Sequence, residues 1–263
     1  MILARAAAAE LRKTVTLPAA LVAIAIAALG SLGITLLNTL NVRSAIQSGQ
    51  LESVAYTSPV EAVFSAIPLG TVGAVILGVV AISSEYTANS PDAGGGRQIT
   101  ATLAATPRRV TVLAAKASAV VLLIAATAAV TITACLALAH LIVGDAGATP
   151  DDADTLGRGF GAALYWTLTG LIALAITALT RSGIIPLIVL IANSSLVSVS
   201  LLLTNLTPLA YWLPDLAGMR LFARDPWGMF EDALDPLTGG LVMTAWAIAL
   251  LAVSGVVFTR RDA

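Results

Sequence analysis

Six stretches of this 263-residue chain contain no Asp, Glu, Lys or Arg, and each is long enough to cross a bilayer as a helix. A spanning helix needs about 20 apolar residues, and a charged residue at its centre costs about 2.5–3.5 kcal/mol on insertion scales. The stretches cover residues 17–40, 62–83, 117–143, 159–180, 182–205 and 240–259. We therefore predict an all-α polytopic membrane protein with six transmembrane helices that form one domain, residues 1–263.

The overall composition supports this prediction and disfavours other classes. Hydrophobic residues make up 58% of the chain and charged residues 11%, whereas soluble domains carry about 25% charged residues. The strands of a transmembrane β-barrel alternate apolar and polar residues, and the six stretches do not alternate. The net charge of −1 gives no basic bias toward nucleic acid, so we expect lipid and not nucleic acid to surround the chain.

The distribution of basic residues predicts the orientation in the membrane, because Lys and Arg flank spans mostly on the cytoplasmic side. With six spans, the side that carries both termini holds ten of them: Arg5, Arg12, Lys13, Arg97, Arg108, Arg109, Lys116, Arg181, Arg260 and Arg261. The opposite side holds Arg43, Arg158, Arg220 and Arg224. Both termini are therefore predicted to be cytoplasmic.

Three segments outside the spans have distinct predicted structures. Residues 2–15 mix small apolar residues with charges, which is typical of a helix on the cytoplasmic membrane surface. Residues 84–116 form the largest cytoplasmic element, between the second and third spans, and contain a helical part after Gly94–Gly96. Residues 206–239 form an external insertion rich in aromatic residues and proline, which favours re-entrant or interfacial helices between the fifth and sixth spans.

The sequence contains no set of residues that would make the chain an enzyme. A phosphate-binding loop places a lysine directly after a glycine, and neither Lys13 nor Lys116 follows one. The single cysteine and single histidine, Cys135 and His140, provide no metal-ligand cluster. We predict no catalytic residue, no metal and no cofactor on this chain, with a membrane enzyme using His140 as the alternative.

Polar residues within the spans have two interpretations that the sequence leaves open. Six of them are candidates for a substrate pathway: Ser31, Thr35, Asn38, Asn193, Ser194 and Ser198. Hydroxyl and amide side chains also form hydrogen bonds between packed transmembrane helices. The same residues therefore either line a pathway or hold the helices together.

The cytoplasmic run from Arg97 to Arg109 predicts a short helix with an apolar surface. Ile99 and Leu103 lie four residues apart and would share one face of that helix, which Pro107 would end. A small apolar surface framed by charges suits docking into a groove of a partner protein. The alternative is a solvated loop whose arginines only fix the membrane topology.

This region resembles the permease subunits of ABC-2 type ABC exporters. The resemblance is carried by Ser84-Glu85-Tyr86 at the end of the second span, by the run from Arg97 to Leu103, by Ala105-Thr106-Pro107-Arg108-Arg109 and by Lys116. The Glu10-Leu11-Arg12-Lys13 start, the six spans and the external insertion extend it over nearly the whole chain. The stretch from Thr87 to Gly96 is longer than the corresponding turn of many members.

The resemblance implies a permease in a bacterial cytoplasmic membrane that pairs with a second permease chain, as a homodimer, and docks two separate ATP-binding subunits. ATP and Mg²⁺ would bind to those subunits. The helix between the second and third spans would be the coupling helix that contacts them. The residues so implicated are Glu85, Arg97, Gln98, Ile99, Thr100, Leu103, Thr106, Pro107, Arg108, Arg109 and Lys116. A membrane scaffold without transport is a further alternative.

Overall fold

The computed structural model describes residues 2–49, 58–87, 98–105, 108–144, 152–195, 198–224 and 233–260, which form helices joined by turns and irregular residues and include no strand. The first helices are α1 (Ile2–Thr16), α2 (Pro18–Ser48), α3 (Pro59–Phe64), α4 (Ile67–Ser83) and α5 (Gln98–Ala105). They are followed by α6 (Arg109–Val143), α7 (Asp152–Thr180), α8 (Ile184–Ser195), α9 (Val199–Thr204), α10 (Pro214–Met219) and α11 (Pro236–Arg260).

Five helical segments of the described chain are long and apolar enough to cross a membrane. They are α2, the combined segment Pro59–Tyr86, α6, α7 and α11. The prediction of an all-α fold is thus confirmed for the described residues, and five candidate membrane-spanning helices are consistent with a polytopic membrane protein. These five segments correspond to the first, second, third, fourth and sixth predicted spans.

The second span consists of two helices. Ser58 caps α3 by accepting a hydrogen bond from the Glu61 N–H at 3.1 Å, and Pro59 occupies the first turn, where its missing N–H is not needed. The chain then turns at Ser65 and Ala66 before α4 begins, with Pro68 in its first turn. This span therefore starts a few residues earlier than the sequence predicts.

The fifth predicted span, 182–205, is not one continuous helix. Arg181 has a positive φ of 52°, and α8 then runs for 12 residues, which is about 18 Å. Ser198 caps the separate helix α9 by accepting from the Leu201 N–H at 3.0 Å. The hydrocarbon core is about 30 Å thick, so α8 alone is too short to cross it and a sixth crossing stays a prediction.

Close packing of α4 against α2 and α7 forms the centre of the bundle. Trp166 of α7 is fully buried and donates a hydrogen bond from Nε1 to the Ile67 carbonyl at 3.0 Å. Gly78 of α4 faces the Gly170 carbonyl so closely that a Cβ at either glycine would clash with its surroundings. Such glycines allow helix backbones to approach closely, as in other membrane bundles.

The segments outside the long helices are also helical where they are described. Helix α1 packs against α6, and its Glu10 and Thr14 are buried. After α9 come a 3₁₀ helix, Pro208–Trp212, and α10, which packs against α11. Their placement relative to the membrane stays a prediction.

Candidate functional site

Four charged side chains meet at the end of the bundle where α4 ends and α6 begins. The Lys116 Nζ lies 2.6 Å from Glu10 Oε2 and 2.7 Å from Glu85 Oε1. Lys13 also donates to Glu85 Oε1, and the Thr102 hydroxyl donates to Glu85 Oε2 at 2.9 Å. We call these five residues the ion cluster.

The members of the ion cluster come from four segments of the fold. Glu10 and Lys13 lie three residues apart on α1 and so share one face of that helix. Glu85 lies in the 3₁₀ turn Ser84–Tyr86 that directly extends α4. Thr102 is in the middle of α5, and Lys116 is in the second turn of α6. Four helices are thus joined through Glu85 and Lys116.

The ion cluster is buried, so each of its charges needs a partner of opposite charge. Glu85 and Lys116 are only 1% and 2% exposed, and Glu10 is 9% exposed. Two carboxylates and two ammonium groups balance each other, so the cluster carries no net charge. Removing one partner from a buried pair leaves an uncompensated charge and typically costs about 3–5 kcal/mol. The cluster therefore holds α1, α4, α5 and α6 in one specific arrangement.

A cavity of about 310 Å³ lies beside the ion cluster between α1, α5 and α6. Its polar lining comes from Glu10, Lys13, Gln98 and Thr102. The side chains of Ala6, Ala9, Ala101 and Ala115 are small and leave this space open. A partner that reaches the cavity would therefore touch the charged residues and α5 together.

The orientation of α5 differs from what the apolar pattern predicts. Ile99 is 2% exposed and packs inside this chain, while Leu103 is half-buried. The residues that α5 presents outward are Thr100, Ala101 and Ala104. A four-residue spacing indicates that two side chains share a face, but it does not tell which way that face points.

Two further residues predicted to contact a partner, Arg108 and Arg109, lie at the start of α6. Arg108 is exposed and precedes α6 as its N-cap residue. Arg109 donates from Nη1 to the Phe258 carbonyl at 3.1 Å, which joins the start of α6 to the end of α11. Arg97, Thr106 and Pro107 lie outside the described residues.

The polar residues of α2 lie in contacts between helices. Ser31 and Thr35 are at most 1% exposed, on the face of α2 that also buries Ala23 and Ala27. Asn38 donates from Nδ2 to Ser65 Oγ at 2.9 Å and more weakly to the Ala62 carbonyl at 3.4 Å. Asn38 thus joins α2 to the second span, whereas Ser31 packs beside Gly70 of α4 and its hydroxyl has no hydrogen-bond partner among the described residues. A role of these residues in substrate passage stays a prediction.

The polar residues near the end of α8 gather around Asp215, a residue that the sequence did not single out. Asn193 Nδ2 donates to Asp215 Oδ2 at 2.7 Å, and Ser198 Oγ lies 3.4 Å from the same oxygen. Asn193 Oδ1 also accepts from the Ser200 N–H at 3.2 Å. The side chain of Ser194 lies outside the described residues. These bonds connect α8 to α9 and α10.

A second ionic group lies at the opposite end of the second span. Arg158 of α7 donates to both Glu61 carboxylate oxygens, at 2.6 and 3.0 Å, and to the Phe222 carbonyl at 2.8 Å. Its guanidinium also lies 4.2 Å from the centre of the Phe64 ring. Asp154 accepts from Arg224 and lies 3.8 Å from Arg158. Charge counting treats Arg158 as a loop residue, so only the fold reveals this pair.

The structure assembles no catalytic set around the histidine within the chain that it describes. His140 is exposed near the end of α6, and no described side chain bonds its imidazole. Cys135 is a free thiol, 2% exposed, between α2, α3 and α6. No group of three His, Cys, Asp or Glu side chains among the described residues has the geometry of a metal site.

Comparison of the chain with known proteins finds no matching family model and no curated protein of similar sequence. The ion cluster is the strongest candidate, because it combines deep burial with a direct link to a short helix that lies between two spans.

Proposed function

We propose that this chain is the membrane-spanning permease subunit of an ATP-driven exporter of the ABC-2 type. It would cross a bacterial cytoplasmic membrane six times with both termini inside, and it would form the substrate pathway with a second copy. ATP and Mg²⁺ would bind to separate ATP-binding subunits. The observation that carries the proposal is the hydrogen bond from Thr102 of α5 to Glu85, because Glu85 also pairs with Lys116 of α6.

A displacement of α5 would act on the spans through this connection. Glu85 directly extends α4, and Lys116 belongs to α6, so both flanking spans respond to a movement of Thr102. Glu10 connects the same lysine to α1, which leads into α2. Separating buried charges is costly, so α1, α4 and α6 are expected to move together when α5 acts on Glu85 through the Thr102 hydrogen bond. This is the behaviour required of a coupling helix.

The outward side of α5 supplies the surface for the ATP-binding subunit. Thr100, Ala101 and Ala104 are exposed, and the small alanine side chains allow a partner to approach the helix backbone closely. The adjacent cavity lined by Gln98 and Lys13 can take a side chain from the partner. Arg108 lies exposed shortly after α5 and would frame this surface.

Co-purification tests the proposal with a change confined to the exposed side of α5. The chain is expressed with ATP-binding subunits encoded next to its gene, as the native sequence or with Ala101→Asp plus Ala104→Asp. We expect the native chain to retain the ATP-binding subunits and to stimulate ATP hydrolysis in proteoliposomes. The double variant should lose both, because two new carboxylates would have to be desolvated at the contact.

The matched control places the same alanine-to-aspartate change at the other end of the bundle, at the exposed residue Ala153. This variant should co-purify and stimulate hydrolysis like the native chain. Unchanged elution and unfolding of the double variant alone would show that it is folded. If the folded double variant still retained the ATP-binding subunits and full stimulation, the proposed contact would be wrong.

A further inference from the structure

An apolar groove runs between α6 and α11 on the surface of the bundle. Its volume is about 600 Å³, and its walls come from Val110, Leu113 and Ala117 of α6 and from Ile248, Gly255 and Val256 of α11. Val110, Ile248 and Val256 are between 50% and 62% exposed. No charged side chain lines the groove among the described residues.

The length of the groove matches one leaflet of a bilayer. Its lining on α11 extends from Ile248 to Thr259, which at 1.5 Å per residue is about 16 Å. Half of a hydrocarbon core that is about 30 Å thick is about 15 Å. The groove lies at the same end of the bundle as the ion cluster, because its lining on α6 runs from Val110 to Ala117 and so includes the turn that carries Lys116.

Two exposed arginines lie close in the chain to residues that line one end of the groove. Arg108 directly precedes α6 and Arg260 is the last residue of α11, and both are exposed. The hydrogen bond from Arg109 to the Phe258 carbonyl holds these two helix ends together. An apolar groove with arginines at one end complements a molecule that has an anionic head and a hydrocarbon chain.

We propose that this groove binds one anionic phospholipid from the adjoining leaflet. One acyl chain lies along Gly255 and Leu113, and the headgroup phosphate lies between Arg108 and Arg260. The proposal goes beyond the function proposed above and does not depend on an ATP-binding partner.

The arginines near one end of the groove favour a lipid over a helix from a second copy of the protein. A phospholipid presents an anionic phosphate to Arg108 and Arg260 and an apolar chain to the groove. A thin, flexible acyl chain fills such a groove without requiring α6 and α11 to separate.

Native mass spectrometry of the full-length chain in detergent tests this proposal. Equal amounts of phosphatidylglycerol and phosphatidylcholine with the same acyl chains are added, and the bound lipid is counted. We expect one phosphatidylglycerol to be retained at detergent concentrations that remove phosphatidylcholine. Equal retention of the two lipids would overturn the proposal.

Two variants separate the contribution of the headgroup from that of the acyl chain. Arg108→Gln plus Arg260→Gln should weaken phosphatidylglycerol binding about 30-fold, because each arginine near an anionic lipid contributes a factor of about five. Gly255→Leu should fill the groove and also abolish binding. A Cβ at Gly255 meets only Leu113, at 3.8 Å, so this change is compatible with the fold.

The matched controls make the same changes at exposed positions outside the groove. Arg5→Gln plus Arg43→Gln removes two positive charges, and Gly33→Leu adds a side chain where nothing lies within 4 Å. Both should bind phosphatidylglycerol like the native chain. Equal losses of phosphatidylglycerol binding in the test and control variants would overturn the proposal. A separate experiment places a cysteine in the groove as Ala252→Cys. Disulfide-linked dimers of this variant in lipid bilayers would also overturn the proposal, because a second copy would then cover the groove.

Discussion

Glu85 and Lys116 are 31 positions apart in the chain and form a buried ion pair, with 2.7 Å between Glu85 Oε1 and Lys116 Nζ. Each has further partners. Glu85 also accepts hydrogen bonds from Lys13 and Thr102. Lys116 also donates a hydrogen bond to Glu10. One pair of side chains thus connects the ends of two spans to the helix α5 between them. The stability of this connection and its role in coupling can be measured separately.

We expect Glu85→Gln to lower the free energy of unfolding by about 3 kcal/mol, because Lys116 would keep its charge but lose one of its two carboxylate partners. Lys116→Met should have a similar effect, since it leaves two buried carboxylates close together. The double variant should lose less than the sum of the two, by roughly 1–3 kcal/mol. Unfolding by sodium dodecyl sulfate in mixed micelles measures all three values.

Additive effects of these two substitutions would contradict the pairing. Arg12→Gln provides the control, because Arg12 is an exposed basic residue on the same helix as Glu10 and Lys13. Its unfolding free energy should stay within about 0.5 kcal/mol of the native value.

Arg158→Lys should destabilise the protein even though it preserves the positive charge. The guanidinium reaches both oxygens of Glu61 and the Phe222 carbonyl at once, and an ammonium group cannot reproduce that planar arrangement. We expect a loss of about 2 kcal/mol in the same unfolding measurement, by analogy with other imperfectly replaced buried pairs. An exposed arginine at the same end, Arg43, should tolerate the change to lysine. Native-like stability of Arg158→Lys would show that the bidentate geometry is unimportant.

Gly78→Ala should destabilise the contact between α4 and α7. The new Cβ would lie far inside van der Waals contact with the Gly170 carbonyl oxygen, which belongs to the backbone and cannot move away easily. We expect a cost of about 1–3 kcal/mol, typical of an overpacked core. Gly33→Ala is the control, and it should leave stability unchanged or raise it by up to about 1 kcal/mol because alanine favours helix. A larger loss of stability for Gly33→Ala than for Gly78→Ala would contradict the close contact between α4 and α7.

The sequence predicted five of the long helices, because exclusion of charge from a span is a local property that composition reveals. It did not predict the interruption between α8 and α9, since residues 182–205 contain no charge and only one proline, Pro186. Ser198 acts there as a helix cap through a backbone conformation that apolar runs do not encode. The fifth predicted span is therefore the one whose form differs most.

The candidate site was predicted in part. Glu85 and Lys116 were selected because of a family resemblance, but Glu10, Lys13 and Thr102 join them only through tertiary packing. The burial of Ile99 depends on the rotation of α5 about its axis, and a helix of eight residues with two large apolar side chains does not fix that rotation. Sequence patterns specify helices well and the pairing between them poorly.

Asp235 should give the start of α11 a measurable dependence on pH. Hydrogen bonds from the Thr238 side chain and N–H, and from the Leu237 N–H at 3.1 Å, lower the pKa of Asp235 below its ordinary value of 3.8. Because the folded pKa is lowered, the stabilisation is present above pH 3.8 and is lost as the pH falls through the folded pKa. The stability difference between the native chain and Asp235→Ala should therefore shrink on acidification. Asp235→Asn should retain the cap without that pH dependence.

A difference between the native chain and Asp235→Ala that stayed constant from neutral pH to well below pH 3.8 would contradict this assignment. Comparison of the two proteins at each pH removes the contribution of the other carboxylates, which titrate in both.

Cysteine labelling at α5 tests the proposed function most directly. The chain has one cysteine, Cys135, which is buried, so Ala104→Cys in a Cys135→Ser background provides a single exposed thiol. The rate of maleimide labelling is measured with and without the ATP-binding subunits, and Ala153→Cys in the same background serves as the control. We predict at least tenfold slower labelling at position 104 in the complex and no change at position 153. Equal labelling rates at position 104 in an intact complex would contradict the proposal that α5 contacts the ATP-binding subunit.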